Sequence, residues 1–236
     1  MMSKLIKYDF LYTNKSLLVI YLLSIISTIV VLISGSFNTD IGIATEAISK
    51  DFALICLLIT LIVPFFKCFF KIKNSLYKNE AYLTHTLPIE KGVLYDAKLF
   101  SAIFTLIISW VIFGVCFMSA FSGMNFIKLL LNVVNDSSML STSIEIVSLI
   151  ISELLFIFIC SVISLIIGNM FDENRDFKTF IFMLIIYLSL RLIVLSVIEI
   201  FNLNYYAYTT ILFLILSIIL YFIGRKLFKK GINLEY

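Results

Sequence analysis

Six long apolar runs, separated by short polar segments, dominate the pattern of hydrophobic and polar positions along this chain. An apolar α-helix of about 20 residues matches the ~30 Å hydrocarbon core of a lipid bilayer. Each run is therefore predicted to span a membrane, and the chain is predicted to be an all-α integral membrane protein. The predicted spans are residues 17–37, 52–70, 99–121, 144–167, 180–200 and 209–223.

The basic residues indicate how these spans are oriented. Cytoplasmic segments of membrane proteins keep an excess of Lys and Arg, and fifteen of the 18 basic residues lie on the side of the N-terminus if the spans alternate. Lys50 and Lys128 lie on the other side, and Arg191 lies within a span. Six spans with both termini in the cytoplasm account for this asymmetry.

Composition leaves little room for anything beside the spans. Hydrophobic residues make up 61% of the chain, and the mean hydropathy is +1.09. Residues 1–236 are therefore predicted to form a single transmembrane domain. The net charge of +3 suits an anionic inner leaflet and does not point to nucleic acid. Neither a disulfide nor a metal site is predicted, because all four cysteines lie in apolar runs: Cys56, Cys68, Cys116 and Cys160.

Residues 4–15, before the first span, mix apolar and aromatic residues with lysines. This mixture is typical of a short helix that lies in the membrane plane with its lysines toward lipid phosphates. The alternative interpretation is a cytoplasmic cap on the first span.

The longest cytoplasmic connection, residues 71–98, has the composition of a docking surface. Residues 75–86 are mostly helix formers and polar residues, and Pro88 disfavours helix in the residue before it. A short helix is expected here, with a second helix leading into the third span. Tyr77, Tyr82, Leu83 and Leu87 give the connection more apolar surface than a tether needs, and such groups rimmed by charge commonly mark docking sites.

Within this connection, the run Asn-Glu-Ala-Tyr-Leu-Thr-His-Thr-Leu-Pro at positions 79–88 resembles a loop of small six-span permeases of bacterial ABC transporters, in the type-2 exporter superfamily. The resemblance covers the whole chain in topology and ten residues in motif. It implies a cytoplasmic coupling helix that presses on a separate ATPase subunit, an N-terminal in-plane helix and a second permease subunit. The coupling residues it implies are Glu80, Tyr82, Leu83, Thr84, His85, Leu87 and Pro88. Leu83 and Leu87 are expected to enter a groove, Glu80 to meet a cation and Pro88 to fix the turn.

ATP hydrolysis is expected on the partner and not on this chain. A phosphate-binding loop needs the pattern Gly-x-x-x-x-Gly-Lys-Ser/Thr, and none of the eight glycines is followed by Lys-Ser or Lys-Thr. No cofactor is therefore expected here, and ATP and Mg²⁺ are expected on the ATPase subunit. Larger exporters of this kind carry re-entrant helices between spans five and six, whereas the connection here is only residues 201–208. Residues 126–134 have the pattern of an in-plane helix on the outer face.

Charges inside the predicted spans are candidate functional residues, because each is costly in a bilayer unless it is paired or solvated. Glu153 and Arg191 each lie nine residues from the outer end of a span, so both are expected about 13 Å below that boundary. Equal depth on consecutive spans favours an ion pair, either as a polar element of a transport path or as a structural clamp. Glu145 and Glu199 would form an outer acidic rim that attracts a cationic amphipathic peptide, or would simply reach water.

Two further polar groups receive a simpler interpretation. His85, the single histidine, is expected on the surface of the coupling loop. The turn at residues 172–176 holds three carboxylates but lacks the spacing and glycine of a calcium loop. It is interpreted as a second contact with the partner or as a solvated turn, and no metal is predicted.

The sequence therefore predicts the permease subunit of an ABC exporter in a bacterial plasma membrane, acting as a homodimer or heterodimer. The expected substrate is amphipathic or hydrophobic, such as a peptide or antimicrobial-type compound. A membrane enzyme is disfavoured because Glu153, Arg191 and His85 do not converge on one place. A secondary carrier is disfavoured because no internal repeat is seen. The remaining alternative is a non-transporting scaffold or sensor that docks a cytosolic partner through residues 71–98.

Overall fold

The computed structural model describes residues 2–35, 40–77, 90–122, 137–171, 174–201 and 204–230. Within these ranges the structure contains six α-helices and no strand, which confirms the all-helical class. The helices are α1 (Met2–Ser34), α2 (Asp40–Tyr77), α3 (Lys91–Ser122), α4 (Ser137–Gly168), α5 (Arg175–Ile200) and α6 (Tyr205–Lys230).

Each of these six helices is long and apolar enough to cross a membrane. The shortest have 26 residues and the longest has 38, against the ~20 needed to cross the hydrocarbon core. Each predicted span lies within one helix, except that α1 ends at Ser34, before the expected end of the first span. The chain is therefore a multi-pass membrane protein.

The helix expected before the first span is part of α1. Residues 4–15 are helical, but they continue into the span without interruption, so the structure does not separate them as an element of their own. A position in the membrane plane stays a prediction. The helix expected at residues 75–86 is described only as far as Tyr77, where α2 ends, and the one expected at residues 126–134 lies outside the described residues.

The helices form two compact units. The first consists of Ser3–Cys68 and Phe100–Met139, and so contains α1, most of α2 and the later part of α3. The second consists of Phe69–Leu99 and Leu140–Tyr236. It contains the end of α2, the beginning of α3, and α4 to α6.

Hydrogen bonds between side chains join the helices of the first unit. The hydroxyl oxygens of Tyr21 on α1 and Ser109 on α3 are 2.6 Å apart, and both side chains are buried. Asn14 Nδ2 donates to Thr105 Oγ1 at 3.5 Å. Such contacts matter in a bilayer, because lipid tails are as apolar as the helices and give little hydrophobic drive for association.

The second unit is built around α4. Phe156 and Cys160 on this helix are fully buried, and the Phe156 ring stacks on Phe213 of α6 at a centroid distance of 4.9 Å. The helix ends also approach closely, since a Cβ added at Gly168 would lie 2.1 Å from Thr179 Oγ1 of α5. The buried apolar cluster consists of Phe156, Ile159, Cys160, Ile163, Val194, Ile198, Phe213 and Leu220.

Serine and threonine are accommodated within these apolar helices because their hydroxyls bond to their own backbone. Ser24 Oγ donates to Tyr21 O at 2.9 Å, and Ser161 Oγ donates to Phe158 O at 2.7 Å. Bonds of this kind satisfy a polar group where no water is present. The spans therefore tolerate hydroxyl groups without a separate polar pocket.

Candidate functional site

Three polar side chains meet between α4 and α5 in the second unit: Glu153, Tyr187 and Arg191. Arg191 Nη1 lies 2.9 Å from Glu153 Oε1. Tyr187 Oη donates to the same Glu153 oxygen at 3.0 Å and accepts a hydrogen bond from Arg191 Nη1. We call this closed group of contacts the intramembrane triad.

The triad has a packed side and an open side. The ring of Tyr187 lies 6.1 Å, between centroids, from the fully buried Phe156. The side chains of Arg191 and Glu153 are nevertheless 41% and 24% exposed. A partly exposed ion pair in a membrane-spanning segment is costly unless water, a partner or a bound molecule meets it. Its open side is therefore a candidate binding surface.

The sequence identified two members of the triad and missed the third. The structure brings together Glu153 and Arg191, which were selected for their equal depth in neighbouring spans. Tyr187 was not selected, although it precedes Arg191 by four residues. That spacing places two side chains on the same face of a helix, so it was a usable signal.

The two carboxylates expected to form an outer rim are separate from the triad's contacts. Glu145 on α4 is half-buried and Glu199 on α5 is exposed. In the described part of the chain, neither carboxylate makes a hydrogen bond or ion pair with another side chain. Their role as a rim stays a prediction.

The predicted coupling residues lie outside the described residues. These are Glu80, Tyr82, Leu83, Thr84, His85, Leu87 and Pro88, all within residues 78–89. Asp172 and Glu173 of the second polar turn are outside as well. The helix ends on both sides of residues 78–89 are described, however. We call these ends, residues 69–77 of α2 and 91–99 of α3, the stem.

Buried aromatic rings attach the stem to the end of α6. The rings of Tyr77 on α2 and Phe228 on α6 meet edge to face at a centroid distance of 6.3 Å. Tyr95 on α3 lies 5.6 Å from Phe228 and 6.1 Å from Tyr221. Tyr77 and Tyr95 are only 2% and 1% exposed, so the prediction that Tyr77 contributes to an exposed docking surface is wrong. Buried aromatic packing of this extent holds the stem firmly on α6.

Two ion pairs reinforce the stem. Asp96 on α3 is 5% exposed, and its carboxylate lies 2.8 Å from Arg225 Nη2 of α6. Tyr221 Oη donates to the same carboxylate at 2.7 Å. Lys73 on α2 pairs with Asp176 at the start of α5, with Nζ and Oδ1 2.5 Å apart. The stem is thus tied to two other helices of its unit.

The contact of Asp96 with Tyr221 and Arg225 was not predicted from the sequence. Tyr221 and Arg225 are four residues apart in an apolar helix, and Asp96 is an acid among Leu94, Tyr95 and Ala97. These were signals of a buried polar contact, but nothing in the sequence pairs residues so far apart in the chain.

The chemistry available at these places is binding and electrostatic contact. No group of three His, Cys, Asp or Glu side chains is arranged for a metal ion in the described ranges. An apolar groove on the first unit offers hydroxyls as its polar groups. Its lining residues are Leu23, Ile26, Ser27, Val30, Thr45, Ile48, Ser49 and Phe52.

The fold and these sites define a polytopic helical membrane protein with a polar triad in its spans and a stem that packs against α6. No protein-family model, curated protein or solved structure matches the chain. Its function is therefore inferred from its own residues and their geometry.

Proposed function

We propose that this chain is the permease subunit of an ATP-driven exporter of the ABC type, in the plasma membrane of a bacterium. ATP and Mg²⁺ bind a separate ATPase subunit, and this chain hydrolyses no ATP. A second permease subunit, identical or related, faces it across the path. The substrate is amphipathic or hydrophobic, a peptide or an antimicrobial-type compound.

The observation that carries this proposal is the anchoring of the stem. A loop that receives force from a motor must be attached to the spans by contacts that do not yield. The stem meets this requirement through the buried rings of Tyr77 and Tyr95 and the ion pair of the buried Asp96 with Arg225. The segment so held, residues 78–89, is the one that resembles the coupling region of the permeases.

Charge supports the cytoplasmic side for this segment. The stem contacts the last turns of α6, where Arg225 is found and where Lys229 and Lys230 close the helix. The basic residues of the stem and of the α6 end therefore lie on the same side of the second unit. Cytoplasmic segments are the ones that keep such an excess of positive charge.

The triad supports movement of an amphipathic substrate. Glu153 and Arg191 neutralise each other, and their open side presents a hydrogen-bond acceptor and donor in otherwise apolar helices. A substrate with a greasy body and a few polar groups matches this surface better than a sugar or a free ion. The outer carboxylates Glu145 and Glu199 would favour a cationic group at the exit.

The test is purification of this chain with its partner, followed by reconstitution with the ABC-type ATPase subunit that copurifies. Leu83→Asp places a charge where the motor is expected to bind, and we expect it to abolish stimulation of ATP hydrolysis by the permease while membrane insertion is unchanged. Ile200→Asp makes the same kind of change at an exposed position at the end of α5 and should leave stimulation intact. Unaltered stimulation in Leu83→Asp contradicts the proposal. Purification with a partner that hydrolyses no nucleotide favours the scaffold or sensor.

A further inference from the structure

The contact of Asp96 with α6 differs from an ordinary surface ion pair. Its carboxylate is bonded both to Arg225 Nη2 at 2.8 Å and to Tyr221 Oη at 2.7 Å, and the Asp96 side chain is 7% exposed. Tyr221 and Arg225 lie one turn apart on the same face of α6, so α6 holds one carboxylate of α3 with two groups. We call these three residues the α3–α6 clasp.

Glycines bring the two backbones together around the clasp. A Cβ added at Gly92 on α3 would lie 2.4 Å from Lys229 Cε of α6. A Cβ added at Gly224 on α6 would lie 2.6 Å from Tyr95 Oη of α3. Each helix thus has a glycine at the point where a side chain of the other helix contacts it. The two helices are therefore in tight contact at this point. If α3 is displaced, α6 must move with it, unless the clasp opens.

Three buried polar atoms in and beside the clasp lack a hydrogen bond. They are the hydroxyls of Tyr77 and Tyr95 and the Nε of Arg225, none of which has a partner among the described residues. Buried polar atoms without a partner cost free energy. The close packing here is therefore held by the ring contacts and by the bonds of the Asp96 carboxylate in spite of that cost.

Contacts continue from the clasp to the triad within the same unit. Tyr221 and Arg225 lie on α6, and Phe213 of that helix stacks on Phe156 of α4 at 4.9 Å. Phe156 lies 6.1 Å from Tyr187, which bonds to Glu153. A shift of α6 would thus reach the polar pair inside the spans through packed aromatic rings.

We propose that the α3–α6 clasp transmits movement of the stem to α6 and so to the intramembrane triad. Asp96 and Arg225 are positioning residues in this mechanism, acting through α6 on the substrate path. The inference rests on the proposed function, since it assigns the ATPase subunit as the source of the movement.

The experiment uses the full chain with its ATPase subunit in nanodiscs. Asp96→Asn and Arg225→Gln each remove one charge, and the double variant removes both. Lys50→Gln is the control, because it breaks a 2.6 Å ion pair with Glu46 within α2, in the first unit, and neither residue belongs to the clasp. Spin labels on cysteines placed at the exposed Lys91 and Lys230 report the distance between the start of α3 and the end of α6. ATP hydrolysis and substrate transport are measured in parallel.

In the wild-type chain and in Lys50→Gln we expect the label distance to stay the same when nucleotide binds, because the intact clasp makes α3 and α6 move together. In Asp96→Asn and Arg225→Gln, transport per ATP hydrolysed should fall about tenfold, within the range typical of coupling between two sites. The label distance should now change when nucleotide binds, because α3 can move without α6. The double variant should be no worse than either single variant, because the two residues act as one unit.

A purely structural pair would lower hydrolysis and transport in the same proportion as the amount of folded protein, and this result would overturn the inference. Variants that couple like wild type would also overturn it, while stimulation by the wild-type permease would leave the proposed function standing. If no ATPase is stimulated by any version of the chain, the proposed function itself fails, and the transmission role fails with it.

Discussion

Arg191 on α5 and Glu153 on α4 form an ion pair at 2.9 Å, with Tyr187 bonded to both. This contact places two opposite charges well within the apolar runs of two neighbouring helices. Removing either charge leaves the other without its partner in a place where water is scarce. The consequences differ for the three members, which makes their roles separable.

Glu153→Gln should lower the free energy of unfolding by about 2 kcal/mol. The average hydrogen bond between membrane helices contributes ~0.6 kcal/mol, and breaking a fully buried ion pair costs ~3–5 kcal/mol. The expected loss lies between these two values because the Glu153–Arg191 pair is partly exposed. The free energy of unfolding is measured by SDS titration of the purified chain in mixed micelles. Glu153→Gln with Arg191→Gln should regain part of the loss, since no charge is then left alone. A double variant less stable than Glu153→Gln would contradict a clamp.

Gly224→Ala should destabilise the chain by about 1–3 kcal/mol, the usual cost of overpacking. The new Cβ would lie 2.6 Å from Tyr95 Oη and 3.2 Å from Ile163 Cγ1. Gly114→Ala in α3 is the matched control, because nothing lies within 4 Å of its Cβ. The control should be neutral or stabilising by up to about 1 kcal/mol, the helix preference of Ala over Gly. Equal losses in both variants would show that α3 and α6 do not approach as described.

Tyr95→Phe should leave stability unchanged or raise it by about 1 kcal/mol. The Tyr95 hydroxyl is buried without a partner among the described residues, so its removal relieves a desolvation cost. Tyr21→Phe serves as the comparison, because the Tyr21 hydroxyl lies 2.6 Å from Ser109 Oγ. That change should cost about 1 kcal/mol, the net value of a typical hydrogen bond. Tyr95→Phe should also reduce the penalty of Gly224→Ala, since it removes the nearest atom.

The orientation of the chain in the membrane can be tested by labelling introduced cysteines, because the native cysteines should not react. Each of the four cysteines is buried, at most 8% exposed, so a membrane-impermeant maleimide should not label the unmodified chain. A cysteine at the exposed Ala47 should be labelled in intact cells. A cysteine at the exposed Lys91 should be labelled only after the cells are permeabilised. The reverse pattern would place residues 78–89 outside and remove the basis for a cytosolic motor.

Hydropathy located the spans well but not the helix ends. The second span was predicted at residues 52–70, whereas α2 runs from Asp40 to Tyr77 and continues through Pro64. Apolar residues mark where the chain is in lipid, and a helix does not have to stop where it leaves the lipid. The loss of one backbone hydrogen bond at Pro64 is tolerated in a long membrane helix.

The polar contacts, too, could be predicted from the sequence only in part. Glu153 and Arg191 were selected because a charge in a span is conspicuous and because consecutive spans are usually neighbours. Asp96 lies 125 residues from Tyr221, and both lie near the boundary of the apolar runs, where polar residues are ordinary. Local sequence pattern therefore gave no reason to join them.

The sequence is enough to predict an all-helical protein with six membrane-spanning segments, because the apolarity and length of a segment alone decide whether it suits a bilayer. Which helices meet is seen only in the folded protein. The fold places Tyr187 between Glu153 and Arg191, and Asp96 against Tyr221 and Arg225. Such contacts depend on the packing of whole helices against one another, through close approaches such as that of Gly224 to Tyr95, and no local pattern along the chain encodes them.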